Sequence, residues 1–217
     1  MKKIVCDNII FELQEKGGVS RYWAENMSRH EHNIFDFSYL EGRSVQANAY
    51  REKIVTPSNI IAERGPLMWR RLKKLSVPAD VFHSSYYRIS SQAIHNVVTI
   101  HDFMNEKFPV SIKDKILAMQ KRMACNTAST IIAVSECTKR DLLKYYPDIA
   151  EKNVRVIYNG VSEKFYAEKI DGEFLVEHLQ IRSGNFFLYV GTRGFCKNFE
   201  FVLEFLKASR CEGINFP

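Results

Sequence analysis

Apolar and polar positions follow two rhythms along this chain. Short β-branched or aromatic runs are separated by longer stretches in which apolar residues return every three or four positions. That alternation predicts parallel strands joined by helices that cover both faces of one sheet. Residues 3–6 form the first buried run, and a loop ending at Gly17-Gly18 follows. Val19, Tyr22, Trp23 and Met27, with Asn26 as the polar member, then predict a helix over 19–29. Phe35, Phe37 and Tyr39 alternate as a strand. Residues 81–83 read as a short strand and 96–100 (NVVTI) as a central one. Ser111 precedes a helical stretch carrying Ile112, Ile116, Met119 and Met123. Residues 130–134 (TIIAV) are another buried strand, and Ser135 is placed to cap the helix that runs through Leu142-Leu143 and ends at Pro147. Residues 154–158 (VRVIY) give the next strand, closed by the Asn159-Gly160 turn.

The pattern then changes. Residues 161–184 are more polar and contain Asp171-Gly172 and Ser183-Gly184, which reads as a crossing between domains with a short helix near 174–179. Residues 186–190 (FFLYV) open a fresh βα unit whose helix spans 198–208, and residues 214–216 begin a further strand. One βα unit cannot bury a core of its own. The expected organisation is an N-terminal α/β domain over 1–165, a linker over 166–184, and the truncated start of a second domain over 185–217.

Composition narrows the class. Hydrophobic residues make up 46% and charged residues 26%, values of a soluble globular protein. No apolar run nears the ~20 residues that span a bilayer. The apolar stretch before Asp7 is too short for a secretory leader. The five cysteines are odd in number and form no C-x-x-C pair, which fits reduced thiols in the cytoplasm. A net charge of +6 suits anionic partners. Aromatics and cations do not interleave as a nucleic-acid strand requires, so that class is set aside.

Four segments carry candidate chemistry. Gly17-Gly18 sits between strand and helix, where glycines permit close backbone approach and a helix start offers amides to an anion. The pair is also an ordinary turn, and it is not the G-x-G-x-x-G of dinucleotide enzymes. Thr99-Ile100-His101-Asp102 closes a buried strand at the edge where open α/β sheets bind ligands. His101 there can bond a sugar hydroxyl, and Asp102 can fix its tautomer or the loop. Gly191-Thr192-Arg193-Gly194-Phe195-Cys196-Lys197-Asn198 follows the strand at 186–190, and its two cations beside a helix start suit a diphosphate or are surface charge. Residues 67–75 (LMWRRLKKL) are either an amphipathic patch for an anionic membrane or a solvated helix with Leu67, Leu72 and Leu75 facing the core. No histidine shows metal-ligand spacing, and no hydrolase elbow occurs.

Taken together, Gly17-Gly18-Val19-Ser20-Arg21-Tyr22, Val98-Thr99-Ile100-His101-Asp102, Ile132-Ala133-Val134-Ser135 with Asp141-Leu142, Val156-Ile157-Tyr158-Asn159-Gly160-Val161 with Phe165, and Tyr189-Val190-Gly191-Thr192-Arg193 with Lys197-Asn198 resemble glycosyltransferase family 4. The likeness is to bacterial mannosyltransferase-like members that build surface polysaccharides. It implies the GT-B fold: a Rossmann-like N-terminal domain for the acceptor and a second Rossmann-like domain, here its first βα unit, for the nucleotide sugar. By resemblance His101 and Asp102 are the catalytic candidates, and Arg193, Lys197, Gly17 and Gly18 the donor-diphosphate candidates. The family retains anomeric configuration, uses no metal and no cofactor, and takes a donor such as GDP-mannose or a UDP-sugar. The acceptor is a glycan or lipid-linked sugar, and the expected location is cytoplasmic, peripheral on the inner face of the membrane. Family members run to about twice this length and carry two spaced glutamates in their second half. The resemblance therefore implies a truncated chain, either an impaired enzyme or a non-catalytic remnant that holds an acceptor.

Overall fold

The computed structural model describes residues 1–43, 45–54, 59–163, 165–166, 173–176, 179–182, 186–191, 193–194 and 197–212. They fall into two compact units, Met1–Gly160 and Val161–Pro217.

The first unit alternates strands and helices in the order β1 (Lys3–Asp7), α1 (Ile10–Leu13), α2 (Gly18–Met27), β2 (Asp36–Glu41), β3 (Asn59–Ala62), α3 (Leu67–Leu72), β4 (Ala79–Ser84), β5 (Ala93–Ile100), α4 (Met104–Lys107), α5 (Ile112–Thr127), β6 (Thr130–Ala133), α6 (Glu136–Tyr145) and β7 (Val154–Val156). The seven strands form one sheet in the order β3-β2-β1-β4-β5-β6-β7, every pair parallel. This is the Rossmann-like α/β fold. The chain builds outward from β1 to β3, then returns past β1 to place β4, so the order reverses between β1 and β4. Ligands bind such sheets at that reversal, beyond the carboxyl ends of the strands.

Strand alternation explains why both faces are covered. Val5 joins Leu40, Leu75 and Phe82 on one side, while its neighbour Cys6 joins Trp23, Met27, Phe37 and Tyr39 under α1 and α2 on the other. A third cluster packs Val98, Ile100, Ile131 and Ala133 against Phe103, Cys125, Leu142 and Tyr146. Ser111 and Asp114 form a reciprocal capping box at the start of α5. Ser135 caps α6 by accepting the Thr138 amide at 3.1 Å.

Several expectations change. The helix over 19–29 runs from Gly18 to Met27, and the strand over 154–158 stops at Val156. The loop before Gly17 holds α1, and β3 and α4 were not foreseen. In the second unit the region expected to hold a helix near 174–179 is an antiparallel hairpin, β8 (Glu173–Val176) with β9 (Leu179–Arg182), whose backbone register sets Phe174 opposite Ile181 and Val176 opposite Leu179. Residues 186–190 belong to no strand. A strand exists only where a neighbour shares its ladder, and among the described residues none pairs with them. Helix α7 (Phe199–Cys211) starts close to where it was expected, with Asn198 in the left-handed region at φ 46°. Residues 214–216 lie outside the described residues.

Candidate functional site

The carboxyl edge of the sheet is organised by buried charge. Asp7 closes β1 and receives Arg88 through Nη2 and, at 2.8 Å, through Nε. Ser84 at the end of β4 donates to the same carboxylate at 3.0 Å. Burial alone would lower the Arg88 affinity for its proton, but Asp7 and then Glu63 outweigh that and push it up. One residue on, Asn8 donates to Glu41 at 2.6 Å and accepts the Trp23 indole N–H at 2.8 Å, and Arg51 clamps Glu41 at 2.8 and 3.1 Å. The loops leaving β1, β2 and β4 are thus fixed by paired ions, Asp7 and Glu63 with Arg88 and Glu41 with Arg51.

Gly17 and Gly18 stand at the start of α2 and differ in their surroundings. A Cβ on Gly17 would lie 2.4 Å from the Gln14 side-chain oxygen, which accepts the Ser20 amide at 3.2 Å. Gly17 therefore makes room for an internal cap of the helix. Nothing lies within 4 Å of a Cβ on Gly18. Among the described residues no hydrogen bond takes up the amides of Gly18 and Val19, so the first turn presents two donors and the positive end of the helix dipole.

One turn along α2, Tyr22 meets His101. The rings make an edge contact with centroids 4.8 Å apart. His101 follows the last residue of β5, so the sheet and α2 together set it against Tyr22, one turn beyond the glycine pair. Burial holds its imidazole below the usual histidine range, with Asp102 pulling weakly the other way. The ring is neutral near pH 7 and can donate from one nitrogen and accept at the other. Beneath it His83 bonds the Thr99 hydroxyl at 3.0 Å and takes the edge of Trp23 at 4.7 Å. Burial also raises the Tyr22 phenol, offset in part by a hydrogen bond with the Thr99 side chain. Asp102 behaves differently from its neighbour. Its carboxylate accepts the Met104 amide at 3.1 Å and starts α4, and its carbonyl accepts Lys121 at 2.9 Å. Among the described residues no hydrogen bond joins Asp102 to the His101 ring. It fixes the loop.

Arg193 and Lys197 lie in the second unit. The Arg193 guanidinium sits 5.0 Å from the Phe199 ring centroid. Lys197 is exposed just before α7, and its amide bonds the Gly194 carbonyl at 2.9 Å. Thr192, Phe195 and Cys196 of the same motif lie outside the described residues.

A cavity of about 370 Å³ was not foreseen. Glu12 of α1, Glu63 beyond β3, Arg70 of α3 and the exposed Arg43 and Arg64 line it. Arg70 donates to Glu12 at 2.6 Å and stands 3.7 Å from Glu63, which also receives Arg88 at 2.9 Å. Arg70 is 4% exposed, although residues 67–75 read either as a membrane patch or as a solvated helix. Leu75 does face the core, but Leu72 is 56% exposed. A single polar–apolar pattern cannot reveal a guanidinium turned inward to partners in other elements. The one local signal was Gly42 directly after β2, where a side chain would strike both Arg70 and Glu12.

The first unit thus carries an open helix start, a neutral histidine and a cavity walled by carboxylates and guanidiniums, each in a segment that follows a carboxyl end of the parallel sheet. Comparison with curated proteins finds no match. The family model described as Glycosyltransferase Family 4 matches residues 17–165, from the glycine pair through the end of the sheet, and the chain belongs to that family of glycosyltransferases.

Proposed function

We propose that the protein moves a sugar, with mannose the first to test, from a nucleotide donor such as GDP-mannose or a UDP-sugar to a hydroxyl of a glycan or lipid-linked acceptor, with retention of configuration and without a metal or cofactor. The observation that carries this reading is His101: a neutral imidazole at the end of β5, pressed by Tyr22 of the helix whose first amides are open. His101 bonds a hydroxyl of the transferred sugar, and the Gly18 and Val19 amides meet phosphate oxygen. Asp102 acts as a positioning residue through the loop it fixes. In the second unit Arg193 and Lys197 are assigned to the diphosphate, where their charge stabilises the leaving group. The sugar–phosphate C–O bond breaks, the acceptor oxygen bonds the anomeric carbon from the same face, and its proton passes to the departing phosphate. The acceptor is assigned to the cavity beside Glu12 and Glu63, whose carboxylates suit sugar hydroxyls. A nucleotide donor places the reaction at the cytoplasmic face of the membrane.

A second reading is a module that holds the acceptor without transferring sugar. It is favoured by one fact: cavity, His101 and glycine pair all lie within Met1–Gly160. Product formation from candidate donors separates the two. For the enzyme, His101→Ala is expected to lower kcat about 10²-fold or more with unchanged circular dichroism. Acceptor binding with no turnover of any donor by the parent chain would establish the module instead.

A further inference from the structure

The cavity beside Arg70 holds more guanidinium than its own ion pairs use. Arg70 gives Nη2 to Glu12, but its Nε and Nη1 are buried and reach no hydrogen-bond acceptor among the described residues. Buried donors without acceptors are uncommon in folded proteins, and these belong to a side chain that walls a cavity of about 370 Å³. Arg43 and Arg64 line the same cavity as exposed residues, and among the described residues no carboxylate pairs with either. Counted as charged side chains, Arg70 and Arg88 inside meet three carboxylates, Asp7, Glu12 and Glu63. One exposed guanidinium offsets the remaining negative charge, and the other is in surplus.

One kind of ligand uses both signs of this wall. A guanidinium fork matches the paired oxygens of a carboxylate or a phosphate. An ionised carboxylate has about four acceptor sites. Glu63 therefore keeps capacity for a hydroxyl after Arg88 takes its two oxygens at 2.9 and 3.0 Å. A bare inorganic anion would meet the guanidiniums but be repelled by the acids. A neutral sugar would meet the acids and leave the guanidiniums without an oxygen. We infer that the cavity takes an acidic sugar residue, one that bears a carboxylate or a phosphate, with the charged group among Arg43, Arg64 and Arg70 and the ring hydroxyls on Glu12 and Glu63. The inference rests on the assignment of the acceptor to this cavity and narrows the acceptor's class to a glycan that carries negative charge.

Isothermal titration of the full chain without a donor tests this. The probes are glucuronate and glucose 6-phosphate, as the carboxylate and phosphate forms, against glucose and inorganic phosphate. At least one acidic sugar is expected to bind roughly tenfold or more tightly than either control, less so as salt rises. Which of the two binds better identifies the charged group. Arg43→Gln with Arg64→Gln should weaken that binding roughly tenfold. Both positions are exposed, and a urea midpoint equal to the parent's confirms intact folding. His101→Ala, which removes transfer on the proposed reading, should leave the binding unchanged, so the two readings fail separately. Turnover of neutral acceptors alone would overturn the acidic-sugar inference and leave sugar transfer standing. Acidic-sugar binding without turnover of any donor would keep the inference and make the chain an acceptor-holding module. No binding of either acidic sugar, glucose bound as tightly as both, inorganic phosphate bound as tightly as glucose 6-phosphate, or binding indifferent to the double variant would each overturn the inference.

Discussion

Between Arg70 and Glu12 there is no room for a methyl group on residue 42. A Cβ there would lie 1.8 Å from the Arg70 Nη1 and 2.3 Å from the nearer Glu12 oxygen. Gly42→Ala must therefore part a buried ion pair, and a stability loss of about 1–3 kcal/mol is expected from urea unfolding. Gly18→Ala, facing open space inside a helix, should be neutral or stabilising by up to ~1 kcal/mol. Equal losses at both positions would contradict this account of the cavity wall. His83 makes a second residue-scale case. Burial, with His30 nearby, lowers it from 6.5 to about 4. Unfolding returns it to 6.5, so between these values the unfolded chain binds the extra proton. Its contribution is whole above pH 6.5 and is lost as pH falls toward 4, at up to ~1.4 kcal/mol per pH unit. His83→Gln should flatten that part of the stability–pH curve. The positions of His101 and the glycine pair were readable because they border strong strand and helix patterns. The place of Arg70 was not, because its partner Glu12 lies 58 residues away.

Elements were legible where two signals agreed. The sheet strands 81–83, 96–100 and 130–134 combine β-branched content with turn residues, and each is a strand in the structure. Helix α6 had both a cap and a proline stop. Single signals misled. The cluster around 174–179 has apolar spacing that suits a helix or a hairpin, and ladder pairing decided. The existence of α5 was plain from its period, but not which face meets the sheet, since its inner face uses small residues and a paired lysine. Its start depends on the Ser111–Asp114 box, so Ser111→Ala should cost about 1 kcal/mol and raise amide exchange in the first turn of α5. Unchanged exchange there would show that packing alone holds the helix.

At the scale of the molecule, Arg88 joins three strand ends. It holds Asp7 from β1, Glu63 beyond β3 and the Arg70 carbonyl, with its own amide on Ser84 of β4. Arg88→Met would leave two carboxylates in a nearly dry site, and a loss of about 3–5 kcal/mol in a single cooperative transition is expected. A small loss would mean that water already reaches Asp7. The strand order has a further result during synthesis. β1 is translated first, yet it rests between β2 and β4, and Asp7 awaits Ser84, 77 residues later. At about 5–20 residues per second the ribosome needs roughly 4–15 s to supply them. Until then β1 can pair with β2 alone, and its other edge and its acid stay without partners, so the pace of elongation, more than the search for contacts, sets when the sheet can close.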